Sequence, residues 1–501
     1  MITSVQDRGI PAHRGWILTA CMLAMFMAAV EVTIVATAMP TIVTDLGGFA
    51  SLGWVFAVYL LMQAITVPIY GRLADLYGRK PVFFFGIGLF LAGSALCGFA
   101  HTMVWLIIFR ALQGLGAGAI TPLTTTIVAD IYPPHLRARA QGYLASVWAV
   151  SAIIGPLLGA FIVEHYRWAG VFWVNLPLGM VSLLLLGRYL PNGDNDQPSR
   201  ALDSLGISYL SVSIGALLLT ILQSGQFGLW SIPLLILSLL SGFLFVRQQI
   251  TTASPLFPPA LWRSRTIVAG NIGGLAIGAA MMGISAFLPA YIQAVMGGGA
   301  LAAGWTLAVM SLGWPLASVL SGRIMHRTSY RFTAVTGALF LMAGSGLLLL
   351  LTPHSSLWFA RVAAFIIGVG MGMSSTTFLV SVQNEADFSM RGIATASTMF
   401  TRMLGSALGT ALLGATLNFN LRLRLPTIGD PMQLLIARQE GPGAGISDID
   451  LPIIVQQVGL SLHWVFVLSA GLAFCALFSA WGIPRHHKPL EEGESRSRRS
   501  P

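Results

Sequence analysis

The chain has 501 residues, of which 55% are hydrophobic and only 9% charged, with a mean hydropathy of +0.77. Soluble chains are about 25% charged, so the composition excludes a soluble globular protein and a single anchored soluble domain, and points to a multi-pass membrane protein. The net charge of +10 is read as basic loops on one membrane face rather than as a nucleic-acid surface, and no nucleic acid is expected as a partner.

Residues 1–15 form a short cytoplasmic lead carrying Arg8, His13 and Arg14. With Ala36-Thr37-Ala38 further on, this start imitates a cleavable signal. Glu31 interrupts the apolar run, however, and Trp16 to Met39 is long enough to span, so no cleavage is expected. Apolar windows of spanning length follow near 16–39, 52–70, 81–100, 103–129, 140–163, 169–190, 205–223, 229–247, 266–295, 303–322, 332–352, 358–382, 395–417 and 461–483. The fold class is therefore all-α and integral to the membrane, with fourteen crossings. Cys21, Cys97 and Cys475 lie in apolar runs and, being odd in number, make no disulfide framework; packing is their expected role.

With the N-terminus inside, the outer loops hold Arg167, Arg422, Arg424 and Arg438, and Arg110, Arg361 and Arg402 fall within helices. The remaining 21 of 28 basic residues lie on the cytoplasmic side, which predicts that both termini are inside. Gly71-Arg72 recurs as Gly322-Arg323, Lys80 as Arg331, Gly86 as Gly337 and Arg110 as Arg361, each 251 residues later, and Arg137 recurs as Arg391 after 254. Such a parallel duplication predicts a six-helix bundle at 16–190, a cytoplasmic linker at 191–204 and an inserted two-helix hairpin at 205–247. A second six-helix bundle spans 266–483. Its outer loop, 418–460, is broken by Gly441-Pro442-Gly443, and the run from Leu451 to Val455 is a candidate for docking on the membrane surface. The tail, 484–501, reads as disordered, basic and drawn to anionic lipid.

Gly71-Arg72-Leu73-Ala74-Asp75-Leu76-Tyr77-Gly78-Arg79-Lys80 joins the second and third helices. Two glycines permit a tight turn, and Asp75 among three cations can tie helix ends together; a plain positive-inside anchor is the simpler reading. The stretch resembles the signature loop of the major facilitator superfamily, which implies a cytoplasmic gate formed by Gly71, Arg72, Asp75, Gly78, Arg79 and Lys80. The second copy carries His326 in place of Asp75. Arg110-Ala111-Leu112-Gln113-Gly114-Leu115-Gly116-Ala117-Gly118, and Gly155, Pro156 and Gly159 in the fifth helix, suit close helix approach and a bent backbone. They also resemble the fourth-helix and antiporter motifs of that family. Arg167 to Pro177 resembles the sixth-helix opening of its fourteen-helix drug/proton antiporters, the EmrB/QacA type.

Glu31 is the one acid in the middle of a predicted span, where a carboxylate costs several kcal/mol unless paired, hydrated or protonated. Counting along the helices puts Glu31 and Arg110 at the same depth, so an ion pair between them is geometrically open. Burial favours the neutral acid and Arg110 favours the carboxylate, which makes the pair a candidate proton-coupling site; a purely structural pair is the alternative. Arg402 lacks an evident acid, and Arg361 sits where it can snorkel.

Candidate cavity walls are Met25, Phe26, Trp54, Tyr59, Gln63 and Gln113 in the first half, and Asn271, Met282, Phe287, Tyr291 and Trp314 in the second. Aromatic and Met side chains make adaptable apolar surfaces. The resemblance implies a proton-coupled exporter of lipophilic cationic or neutral drugs, located in the plasma (inner) membrane and functioning as a monomer. The alternative is a dedicated exporter of one endogenous metabolite, antibiotic or peptide. A receptor on the same scaffold would need no proton site. No ATP-binding Gly-x-x-x-x-Gly-Lys-Ser/Thr and no metal cluster occur, so the proton gradient is the expected energy source, with no cofactor. Protons, lipophilic small molecules and membrane lipids are the expected partners, and a periplasmic adaptor protein remains open.

Overall fold

The computed structural model describes residues 13–46, 52–191, 203–227, 231–252, 255–426, 435 and 451–484. Among them are fifteen α-helices and no strand: α1 Arg14–Leu46, α2 Leu52–Tyr77, α3 Arg79–Gly98, α4 Met103–Ile131, α5 Pro134–His165, α6 Gly170–Trp173, α7 Asn175–Tyr189, α8 Ser204–Phe227, α9 Ser231–Thr251, α10 Arg265–Ala294, α11 Ala300–Arg327, α12 Tyr330–Leu348, α13 Leu357–Glu385, α14 Arg391–Arg424 and α15 Leu451–Ala480. Eleven stretches are long and apolar enough to cross a membrane, α6 and α7 together forming one of them. Helices α5, α8 and α14 fall outside that set. In α14 the reason is the load of Arg391, Arg402, Arg422 and Arg424 together with many hydroxyl residues.

Helix starts follow local chemistry. Thr102, Ser264, Ser329 and Ser356 cap α4, α10, α12 and α13 by accepting from backbone nitrogens of the first turn, which satisfies donors that the helix itself cannot. The expected loop at 71–80 is mostly helix: α2 runs on to Tyr77 and α3 starts at Arg79. Gly78 alone makes the turn, at φ 91°, a conformation open to glycine. The outer loop is likewise shorter than read, since α14 extends to Arg424 and α15 starts at Leu451, making Leu451–Val455 the opening of a helix, with Ile453 exposed. Gly441-Pro442-Gly443, the lead at 1–12 and the tail from 485 lie outside the described residues.

Helices α1–α7 and α10–α15 form two bundles with matching internal contacts: α2 and α3 pack on α4 as α11 and α12 pack on α13, and α1 packs on α5 and α7 as α10 packs on α14 and α15. Glycines set the match. A Cβ on Gly114, Gly116 or Gly118 would strike Tyr59 O, Phe90 N and Thr66 Oγ1, and one on Gly368, Gly370 or Gly372 would strike Met310 O, Leu341 N and Trp314 O, all at 2.0–2.5 Å. These triplets are 254 residues apart, whereas α2/α11 and α3/α12 keep 251. The three-residue slip therefore lies in the connection before α13, and Arg110 corresponds to position 364 rather than to Arg361. Arg361 instead stacks on Trp358 at 5.4 Å.

The bundles meet mainly through α5 against α11 and α2 against α14, the two contacts exchanged by the repeat. Helices α8 and α9 pair with each other, and α8 leans on α2 and α14. Asp203 fastens this hairpin: Oδ1 accepts from Gly206 N (2.8 Å) and Gln248 Nε2 (3.1 Å), and Oδ2 accepts from Gln249 Nε2 (2.8 Å). Of the three cysteines, Cys21 and Cys97 are packed inside, while Cys475 is exposed on α15.

Candidate functional site

Glu31 and Arg110 are both fully buried in the first bundle. Arg110 Nη1 donates to Glu31 Oε1 and, at 2.7 Å, to Gln113 Oε1, while its Nε donates to Val55 O at 3.2 Å. The guanidinium lies 4.1 Å from the centre of the Tyr59 ring, where the aromatic face attracts a cation. The other carboxylate oxygen, Glu31 Oε2, accepts from Asn175 Nδ2 at 2.5 Å. Asn175 Nδ2 and Gln113 Nε2 both donate to Ser94 Oγ, which donates to Phe172 O. Six elements, α1 to α4 with α6 and α7, thus supply one connected polar cluster with a single titratable carboxylate. The close approach of α2 and α4 that allows it depends on Gly114 and Gly118.

A second polar assembly crosses between the bundles at the end carrying residues 71–80 and the starts of α5 and α14, the basic end. Asp75 accepts from the first amides of α14, Gly392 N at 3.0 Å and Ile393 N at 2.7 Å, and from Arg79 Nη1 at 2.5 Å. A carboxylate there meets free N–H groups and the positive end of the helix dipole. Asp130 bridges Arg79 (3.1 Å) and Arg391 (2.6 Å), and the ring of Phe388 lies under both cations. The repeat carries Arg79, Asp130 and Arg137 onto Tyr330, Asn384 and Arg391. Asn384 correspondingly donates to Tyr330 and accepts from Arg137 across the seam. Burial and then the Arg391 cation push the Arg137 guanidinium down to about 10, still cationic at neutral pH. One half of the seam is thus ionic and the other rests on a neutral amide.

Gly71 is a packing glycine within α2, where a Cβ would lie 2.3 Å from Ala396 Cβ. Arg72 is buried and partnered. Lys80 points away from the seam and donates to Gly187 O and Leu190 O at the end of α7. Gly155 packs on Thr33 and Gly159 is buried; the side chain of Pro156 lies outside the described residues.

The expected cavity walls are scattered. Tyr59 and Gln113 belong to the Glu31 cluster, Met25 is core, and Tyr291 is buried with its hydroxyl donating to Leu351 O at 3.0 Å. Gln63 is buried, as is Asn271, which holds Ile267 O and Thr401. Phe26, Trp54, Phe287 and Trp314 are half-buried, and Met282 is exposed. Sequence reasoning missed Asn175, Ser94, Asp130 and Asn384. Asp130 and Asn384 could have been found by carrying the 254-residue repeat seven positions back from Arg137 and Arg391.

A buried acid–base pair in one of two repeated helix bundles, with a polar seam between the bundles, defines a membrane transport scaffold. The profile of the Major Facilitator Superfamily matches residues 21–410, and the chain belongs to that superfamily. It is 32% identical over 478 residues to Multidrug resistance protein 3 of Bacillus subtilis (strain 168), covering 91% of this chain and 93% of that one. It is 33% identical over 418 residues to the Multidrug transporter protein MdtP of the same organism, covering 83% and 77%. The crystal structure of the human organic anion transporter MFSD10 (TETRAN) aligns over 92% of this chain and 99% of that one with a TM-score of 0.62, at 14% identity, a likeness of fold. The protein is a multi-pass membrane transporter and not an enzyme.

Proposed function

We propose that the protein is a proton-coupled exporter of lipophilic drugs, working by alternating access of its two bundles, with fourteen crossings and both termini in the cytoplasm of a cell whose plasma membrane it spans. The observation that carries this reading is the buried Glu31–Arg110 pair inside the first bundle. An ionised pair in a low-dielectric interior holds its charge only through its partners. A proton arriving on Glu31 removes the ionic attraction and loosens α1 from α4; a proton leaving restores it. Binding of drug on one side and of proton on the other then drives exchange. Asp75, Arg79, Asp130 and Arg391 form the gate that closes the cytoplasmic end. Further support comes from relatives named as multidrug transporters.

The test is ethidium efflux from energised cells expressing wild type or Glu31→Gln at matched levels, with and without a protonophore. Efflux abolished by the protonophore and by the substitution is the expected result. Efflux in Glu31→Gln equal to wild type overturns the coupling role. Absence of dye efflux from wild type moves the assignment to a dedicated exporter.

A further inference from the structure

Arg402 is a second guanidinium inside the helix bundle, and among the described residues no carboxylate lies within ion-pair distance of it. It stands eleven residues beyond Arg391 in α14, ~16 Å at 1.5 Å per residue, while Glu31 stands seventeen residues, ~26 Å, into α1. Arg402 is thus placed between the basic-end seam and the level of the Glu31 cluster. Its Nη1 donates to Ser375 Oγ at 3.4 Å, the long limit of a hydrogen bond. A guanidinium carries five donors, so most of its capacity is unspent among the described residues. Arg402 is half-buried, and a cation without a counter-charge inside a membrane bundle is costly.

Arg402 borders a cavity of about 20 Å³. On its polar side are Ser375, whose oxygen accepts from Arg402 and whose own proton is uncommitted, and Thr398; on its apolar side are Phe378, Leu379 and Met399. The charged lining is therefore a cation, with hydroxyls beside it. As it stands the space holds about one water, so a ligand head of several atoms enters only when a wall moves. Its Met399 wall backs onto the seam between the bundles, where Thr125 Oγ1 of α4 contacts Met399 Sδ at 3.8 Å. Parting the bundles at the basic end takes Thr125 away from Met399 and frees that wall to swing aside, toward the side from which an exporter loads.

We propose that Arg402 and Ser375 form a recognition subsite for the carboxylate of an amphiphilic anion, with Phe378, Leu379 and Met399 receiving its apolar body. This assignment rests on the export reading above and widens its substrate class from cations and neutral molecules to lipophilic acids.

The test is equilibrium binding to the purified full-length protein in detergent, without any proton gradient, so that its outcome is independent of Glu31-coupled transport. The probes are radiolabelled probenecid, a lipophilic carboxylate, and ethidium, a cation. Wild type is expected to bind both. Arg402→Gln weakens probenecid binding about tenfold or more, Arg402→Lys recovers part of it, Ser375→Ala causes a smaller loss, and ethidium binding stays within about twofold throughout. No probenecid binding by wild type, equal binding by Arg402→Gln, or parallel loss of both probes in that variant overturns the proposal. Displacement of probenecid from wild type by about 0.15 M chloride, but not by gluconate, overturns it in favour of an inorganic anion.

Discussion

Asn175 Nδ2 of α7 lies 2.5 Å from Glu31 Oε2 of α1 and 2.9 Å from Ser94 Oγ of α3. One amide therefore orients the only acid of the buried cluster and ties three helices together. Hydrogen bonds to charged groups contribute about 1.5–3 kcal/mol. Asn175→Ala is expected to lower the half-unfolding temperature in detergent and to reduce the ethidium efflux rate, while Asn175→Gln retains part of both. A half-unfolding temperature unchanged in Asn175→Ala would remove Asn175 from the cluster.

Arg110 and Glu31 are unequal partners. If Glu31 becomes Gln, Arg110 keeps Val55 O, Gln113 Oε1 and the Tyr59 face. If Arg110 becomes Gln, Glu31 keeps the amides of Asn175 and Gln113 but loses its one cation among the described residues. Breaking a buried pair costs about 3–5 kcal/mol because one charge is left unpaired, so Arg110→Gln is expected to destabilise more than Glu31→Gln. The double variant should be more stable than Arg110→Gln alone, and thermal unfolding of the three proteins measures this. Additive losses would mean that the pair does not couple.

Gly71 and Gly322 occupy equivalent places, α2 against α14 and α11 against α5, with different clearance. A Cβ at Gly71 would stand 2.3 Å from Ala396 Cβ, and one at Gly322 would stand 3.0 Å from Ala138 Cβ. Overpacking of a filled interface costs about 1–3 kcal/mol. Gly71→Ala should therefore part the basic end, raising maleimide labelling of Ala396→Cys in a Cys475→Ser background, while Gly322→Ala has the weaker effect. Equal labelling of the two variants contradicts the difference in clearance.

The duplication was legible in sequence because its packing glycines and basic loop residues must recur wherever two bundles share a contact. Gly86 and Gly337 both face the next helix too closely for any Cβ, and Arg137 and Arg391 both reach across the seam. The pairing of Arg110 with Arg361 misled, since a loop slip of three residues rotates one helix by nearly a full turn and leaves residue types unchanged. Depth along a helix could be counted, which brought Glu31 to the level of Arg110. Rotation could not, and so Gln113 and Tyr291 were read as cavity walls while Asn175, one polar residue in an apolar run, went unassigned.

The seam at the basic end is half ionic, and its neutral half can be charged. Asp130 accepts from Arg79 and Arg391, whereas Asn384, its counterpart 254 residues on, contacts Tyr330 and Arg137. Asn384→Asp gives Arg137 an anion without adding bulk. Charge-assisted bonds are roughly twice as strong as neutral ones, so the closed form gains about 1 kcal/mol, which is about fivefold in the closed-to-open ratio. Asp130→Asn works in the other direction, leaving Arg79 and Arg391 beside a neutral group. With opening of this end required in each cycle, Asn384→Asp is expected to lower both maleimide labelling of Ala396→Cys and the efflux rate, and Asp130→Asn to raise labelling. Faster efflux or increased labelling in Asn384→Asp would show that the seam does not hold the bundles closed.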